Sequence, residues 1–285
     1  MKPIHLPDTM LYHIAGSDFG TDPIQAIKMG CKYRLFSAYM PVARLQSAKK
    51  KAPISKIILD KIKYETETFD HVIQDSGLFT MLFGCKAGQV DKQTIYSWYG
   101  HLVDFILQHG QPITCVEVDA QAIIGPEETF KLRERMRNDL PNNRIINVFH
   151  LQDGKKGLDR LIEFSDYIAL SSRFISNFPG QVRQMIEYIK NKKPDIDIHL
   201  LGFSATELCP VVKKICSSCD STAWLTPRRF GRVGGFACAN INMEAINKEY
   251  GDQIKGLAFS SDPKINASMV ANLHYLNSNG LRCLY

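Results

Sequence analysis

The chain has 285 residues, 45% of them hydrophobic and 22% charged, with a formal net charge of +6. That balance is ordinary for a soluble globular protein, and no internal repeat or low-complexity segment interrupts it. No apolar run approaches the roughly 18 residues of a membrane span, and the N-terminus, MKPIHLPDTM, lacks the apolar core of a signal peptide. A cytoplasmic protein with no membrane association is therefore expected.

The first 30 residues hold an extended stretch, MLYHIAGS, and a helix-like run from Asp22 to Met29. An apolar run, Tyr33–Ser37, follows, and then a basic segment over 41–70 with the amphipathic stretch ISKIILDKIKYE. A second run, His71–Asp75, precedes a helix over 91–109 with apolar residues at helical spacing and a Gly stop. The third run, Ile113–Asp119, leads to a helix over Glu127–Asn138, entered through Gly125-Pro126. Ile145–Gln152 and the helix Lys156–Phe164 come next, then Tyr167–Ser171 and the helix Gly180–Lys192. Ile198–Gly202 precedes a helix over Ala205–Ser217, with Ser204 and Glu207 spaced as a capping box. Cys219–Thr222 is the seventh run. The Gly-, Arg- and Phe-rich region Thr226–Ala239 reads as a long functional loop. Gly256–Ser260 is the eighth run, and a closing helix over Ile265–Asn279 ends at Gly280.

Apolar runs of this length, bounded by turn residues, fit strands buried on both faces. Strands alternating with amphipathic helices imply βαβ units and a parallel sheet. Eight such units predict a single closed (β/α)8 barrel over residues 1–285, with its active site at the C-terminal strand ends. Those ends carry Asp75, Asp119, Gln152 and Asp220, the last on the seventh predicted strand.

The eight cysteines could indicate disulfides in a small secreted domain, but this chain is large. Cys115 and Cys209 sit in apolar contexts and read as packing residues. Cys216 and Cys219 form the only CxxC, which is half a zinc site, and no metal is expected. Among the basic groups, Lys49–Lys51 form a block, and Arg133, Arg135 and Arg137 read as a solvated helix face. Arg228, Arg229 and Arg232 follow Asp220 closely and are the better phosphate candidates.

Four constellations could carry chemistry. In Gln74-Asp75-Ser76-Gly77-Leu78-Phe79 a carboxylate stands beside a tight turn, which Asp75 could simply cap. In Val116-Glu117-Val118-Asp119 the strand-end position favours Asp119. In Phe149-His150-Leu151-Gln152-Asp153-Gly154 the Gln152 amide offers a donor and an acceptor suited to a base edge, and His150 reads as a core histidine outside the site. The fourth is Cys219-Asp220-Ser221-Thr222-Ala223-Trp224.

Together these segments resemble the tRNA-guanine transglycosylase superfamily. QDSGLF looks like that family's DSGGF/Y motif, and VEVDA like its acidic strand end. FHLQDG is similar to the strand with its VQGG motif, and YIALSS to the strand with its GGLAVGE motif. HLLGFSATELCPVV looks like its YLMGVGTPEDL segment, and CDSTAWLTPRRFGRVG like its FDCVMPTRNARNG segment. The matches run in order from about residue 33 to 235. The bacterial family's CxCxxC-plus-His zinc site has no counterpart here: Gly231 to Tyr285 holds only Cys238, Cys283 and His274. The VQGG and GGLAVGE glycines are also replaced. Such a compact chain most resembles the DpdA-type, phage-like 7-deazaguanine DNA transglycosylases.

That resemblance implies exchange of guanine in DNA for a free 7-deazaguanine base, preQ0-like, without a cofactor. Asp220 would be the nucleophile and Asp75 the general acid/base. Asp119 and Gln152 would read the base edge, and Phe79 with Leu201 would sandwich its plane. Ser76 and Gly202 would line the base site, and the backbone at Ile168 and Ala169 would meet the 7-substituent. Arg228, Arg229 and Arg232 would hold the DNA backbone. A base inside duplex DNA is inaccessible, so the target must be flipped or unpaired. Host cytoplasm is the expected setting if the source is viral. The alternatives are a zinc-less enzyme acting on tRNA, a non-catalytic partner subunit, an N-glycosidase that leaves an abasic site, and a barrel whose strand-end acids only cap turns.

Overall fold

Eight parallel strands close into a barrel in the order β1 to β8, with β8 paired back onto β1. They are β1 Leu11–Ala15, β2 Tyr33–Ser37, β3 His71–Asp75, β4 Thr114–Val116, β5 Arg144–Phe149, β6 Tyr167–Ser171, β7 Asp197–Leu201 and β8 Ser218–Ser221. The computed structural model describes residues 10–16, 22–47, 56–82, 90–171, 179–203, 212, 214–233, 236–237 and 242–277. The chain is a (β/α)8 barrel, as the alternation predicts. Among the described residues, no helix is long and apolar enough to cross a membrane.

The strands β2, β3 and β6 begin and end where the apolar runs do. One prediction fails: Gly256–Ser260 is not a strand, and the extended stretch at the N-terminus takes its place as β1. The reason is visible in the hydrogen bonds. Leu257 and Phe259 are buried as an apolar run should be, but side-chain amides satisfy their backbone. Asn266 accepts from the Phe259 amide at 2.8 Å and donates to the Leu257 carbonyl at 2.9 Å, and Gln25 brackets Ala258 from both sides. The ladder position beside β8 is already filled by β1, with four residue pairs from Leu11↔Ser218 to Ile14↔Ser221. Asp220 therefore stands on the eighth strand.

The helices Asp22–Lys28, Lys56–Thr68, Lys92–His109, Pro126–Asp139, Gly154–Phe164, Pro179–Lys192 and Pro263–Asn277 lie where the sequence places them. Tyr39–Ser47 and Met243–Ile254 are additional. Of the expected helix Ala205–Ser217, Val212 is helical and 214–217 are not, and the Ser204/Glu207 capping box lies outside the described residues. The predicted loop Thr226–Ala239 is partly regular: Thr226–Phe230 is helical, and Arg232–Val233 pairs antiparallel with Phe236–Ala237.

Strand alternation separates two cores. Outward residues such as Ile14, Phe36 and Val72 pack against helices, and so do Ile168, Ile198 and Leu200. Inward residues Ala15, Leu35, Ile73, Val116, Ile146, Val148 and Ala169 fill the barrel. The rest of the interior is polar. Cys219 O can only accept, so His13 Nδ1 donates to it at 3.1 Å. His13 Nε2 then accepts from His71 Nδ1 at 2.8 Å, and His71 Nε2 accepts from Thr114 Oγ1 at 3.1 Å. This chain is satisfied with both imidazoles neutral.

Burial, with repulsion from His71 and His199 when these carry protons, drives the His13 pKa well down. Burial, the Arg144 charge and repulsion from a protonated His199 lower His71 to about 4, against an opposing pull from Asp197. The unfolded chain binds these protons near the ordinary value of 6.5. Stability is thus complete above about pH 6.5 and is lost as pH falls toward 4, because only the unfolded state gains protons in that window. His71 alone should cost about 2 kcal/mol at pH 5, at 1.36 kcal/mol per unit. Urea melts at pH 7 and pH 5, with His71→Gln as the control, measure this. A pH dependence of the same size in the variant would remove His71 as its source.

Candidate active site at the C-terminal strand ends

Asp220 lies near the C-terminal end of β8 and faces the barrel interior, in register with His13. It is 7% exposed. His199 Nε2 on β7 donates to its Oδ1 at 3.1 Å, and the Gly202 amide donates to the same oxygen at 2.9 Å. Oδ2 receives no hydrogen bond among the described residues. One oxygen is thus held by two donors.

Asp75 ends β3, three strands around the wall from β8 by way of β1 and β2. Its Oδ2 accepts from the Gly77 amide at 2.9 Å and from Ser37 Oγ at 3.5 Å. Asp75 therefore does cap the turn, as its sequence context allows, while standing in the inward register of His71 and Ile73. Gly77 has φ 77°, and a Cβ there would lie 2.4 Å from the Tyr39 amide nitrogen. Ser76 is buried, and its carbonyl accepts from Trp98 Nε1 at 3.0 Å. Phe79 follows on the helical turn Leu78–Thr80 and is 71% exposed.

Glu117 and Asp119 part company after β4. Glu117 turns outward and is buried, where Arg133 grips it through Nε and Nη2 at 2.8–3.0 Å. Asn147 Nδ2 and the Val148 amide add bonds at 2.6 and 3.0 Å. Arg133 is therefore a buried structural partner and not part of a solvated face. The ladder stops at Val116, so the chain is free to turn Asp119 toward the mouth. There His150 Nε2 meets Asp119 Oδ1 at 2.6 Å, with both side chains partly exposed. The sequence reading left His150 outside the site, and the structure brings it in. Parity would have found it, because Ile146 and Val148 face the interior and His150 is next in that series.

Several expected contacts move. β5 stops at Phe149, and Gln152 is exposed on the 3-10 turn Leu151–Asp153 instead of at a strand end. Ile168 and Ala169 are fully buried in mid-strand, in register with β5 and β7, and do not reach the rim. Leu201 ends β7 half-buried, and Gly202, with φ 64°, directs its amide at Asp220. Arg228 Nη1 pairs with Asp22 Oδ2 at 2.6 Å, which ties its helix to the start of Asp22–Lys28. Arg229 is exposed and makes no ion pair among the described residues. Its Nη2 lies 3.3 Å from where a Cβ on Gly16 would sit, at the end of β1, and the Thr222 methyl is 3.4 Å from the same point. Arg229 thus borders the mouth beside Asp220. The backbone of Arg232 lies in the small hairpin.

Cys115, Cys216 and Cys219 are buried, and burial pushes the Cys115 and Cys216 thiols up to about 12. Among the described residues, no group of three or more His, Cys, Asp or Glu side chains is arranged to hold a metal ion. Cys85, Cys209, Cys238, Cys283 and Lys49–Lys51 lie outside the described residues.

No family model matches the chain, and no curated protein is similar to it in sequence. Among solved structures, it is similar to the crystal structure of 2,3-dimethylmalate lyase, a PEP mutase/isocitrate lyase superfamily member. The TM-score is 0.42 at 13% identity, over 95% of this chain and 92% of that one.

Burial pulls the His150 imidazole down, but the Asp119 hydrogen bond and charge, with Glu117 and Asp153 behind them, raise it on balance. Asp119→Asn should therefore lower the His150 pKa, read from its ring proton shifts by NMR. An unchanged titration would show that the pair does not form in solution.

Proposed function

We propose that the chain is a pentosyltransferase that exchanges guanine in DNA for a 7-deazaguanine base through an aspartyl–glycosyl intermediate. The observation that carries this reading is the Asp220 carboxylate. It is fixed at the catalytic end of the barrel through Oδ1, with Oδ2 unbonded among the described residues. A carboxylate nucleophile divides a difficult displacement into two easier ones. The ordered likeness of six segments to the transglycosylase motifs supports base exchange, and the compact, zinc-less pattern supports DNA as the acceptor.

In the first step Asp220 Oδ2 attacks C1′ and the C1′–N9 bond breaks. The electron pair leaves with guanine, which takes a proton from Asp75. In the second step N9 of the incoming base attacks C1′ and the C1′–Oδ2 bond breaks. The pair returns to Asp220, and the N9 proton passes to Asp75. Two inversions give net retention. Asp119 reads the donor edge of the base, held in place by His150. Phe79 offers an exposed face for stacking, and Arg229 supplies the phosphate contact beside the mouth.

Labelled 7-deazaguanine is incubated with DNA and, separately, with tRNA, and nucleosides from each are analysed by mass. Label in DNA is expected. Label confined to tRNA overturns the acceptor, and free guanine with abasic sites overturns the exchange. Asp220→Ala should abolish exchange and any covalent adduct. Asp75→Asn should slow exchange about a hundredfold while the fold survives.

The two arginines separate cleanly. Arg229→Gln should weaken DNA binding and reduce the slope of log affinity against log salt by about one. Arg228→Gln should instead lower thermal stability, through loss of its Asp22 partner. Equal salt slopes for wild type and Arg229→Gln would return Arg229 to a solvating role.

A further inference from the structure

Behind Asp220 runs a hydrogen-bonded chain of buried side chains for which the exchange chemistry above has no assigned use. His199 is fully buried, and its Nε2 donates to Asp220 Oδ1 at 3.1 Å. A neutral imidazole that donates at Nε2 must accept at Nδ1, and Ser218 Oγ lies 2.5 Å from Nδ1. The Ser218 hydroxyl then donates to Nδ1, and its oxygen can accept from the Tyr167 hydroxyl, which is in contact with it. Tyr167 is fully buried, and desolvation raises its pKa, so it stays protonated. With His199 neutral, donation runs one way, from Tyr167 through Ser218 and His199 to Asp220. The His13 and Tyr167 rings hold the imidazole edge-on, with centroids at 6.2 and 6.3 Å.

We propose that His199 and the Gly202 amide form a leaving-group pocket for the Asp220 carboxylate, with Ser218 and Tyr167 holding His199 as the Nε2–H tautomer. The proposal rests on the base-exchange reading. When Oδ2 forms the bond to C1′, Oδ1 becomes the carbonyl oxygen of the ester and keeps both donors. When the incoming base displaces the ester, the C1′–Oδ2 electron pair returns to the carboxylate, and negative charge grows on Oδ1. Fixed donors aimed at developing charge stabilise that step. In the first step they draw charge from the attacking carboxylate, so their removal does not slow attack in the same way. His199 is a positioning residue that acts through Asp220.

The test is rapid-quench measurement of the covalent protein–DNA adduct during turnover, alongside steady-state exchange. Wild type, His199→Leu and His199→Gln are compared. Leu removes the donor, whereas the Gln amide can supply an N–H. His199→Leu should turn over about tenfold to a hundredfold more slowly, the range for losing a hydrogen bond to a charged group. Its steady-state adduct should rise several-fold, and Gln should restore much of the rate. A merely structural histidine would lower rate and adduct together. Ser218→Ala leaves the packing nearly intact and tests the same chain if His199→Leu does not fold: its adduct should also rise. Adduct levels at or below wild type in the folded variants overturn the proposal. If wild type forms no adduct with DNA or tRNA, the base-exchange reading itself fails. If it forms and turns over an adduct that these variants leave unchanged, only the leaving-group role falls.

Discussion

Closure of the barrel by β1 against β8 is the constraint on which the site depends. The four residue pairs of that seam set His13 beside Asp220 and put Gly16 next to the end of β8. A parallel barrel has no free edge once closed, so every interior residue on β7, β8 and β1 is fixed in height by its neighbours. The same closure strands Gly256–Ser260 outside the sheet, where amide side chains take over its backbone bonds. Which apolar segment wins the last place in the sheet therefore decides where the nucleophile candidate stands.

The interior departs from the usual filling of branched aliphatic side chains. Apolar residues occupy part of it, but three fully or largely buried histidines, with Thr114, Ser218 and Tyr167, occupy much of the rest. Buried polar groups cost several kcal/mol each unless paired. These side chains are linked in two separate chains. One ends on the carbonyl of Cys219, and the other on the carboxylate of Asp220. The first terminates in a neutral acceptor and contributes structure. The second terminates on the carboxylate of the proposed nucleophile, and on that reading it bears on reactivity.

Much of the fold was legible in the sequence because buried parallel strands and amphipathic helices have distinct periods. The strand ends were less so. Apolar character continues past the last ladder pairs at Val116 and Phe149, so the sequence carried Asp119 and Gln152 too far along their strands. Charge spacing misread Arg133, because the helix Pro126–Asp139 turns that one arginine inward to meet Glu117. The two histidines bonded to candidate carboxylates were also obscure. His150 and His199 sit in apolar runs where a histidine reads as core, and their partners are 31 and 21 residues away in sequence.

The division of labour between strands and rim follows from rigidity. Asp220 and His199 belong to adjacent strands of the closed sheet, in register with His13 and with Ala169 and Ser218, and a group that must meet one atom at bonding distance gains from that stiffness. Asp119, His150 and Arg229 stand just beyond strand ends, where side chains can adjust to a base or a phosphate. The proposed base exchange, in which two different bases are admitted in turn at one sugar carbon, asks for both properties: an attacking oxygen held still through both displacements, and room for one base to leave before the next arrives. On that reading the closed ladder serves the first and the turns beyond it serve the second.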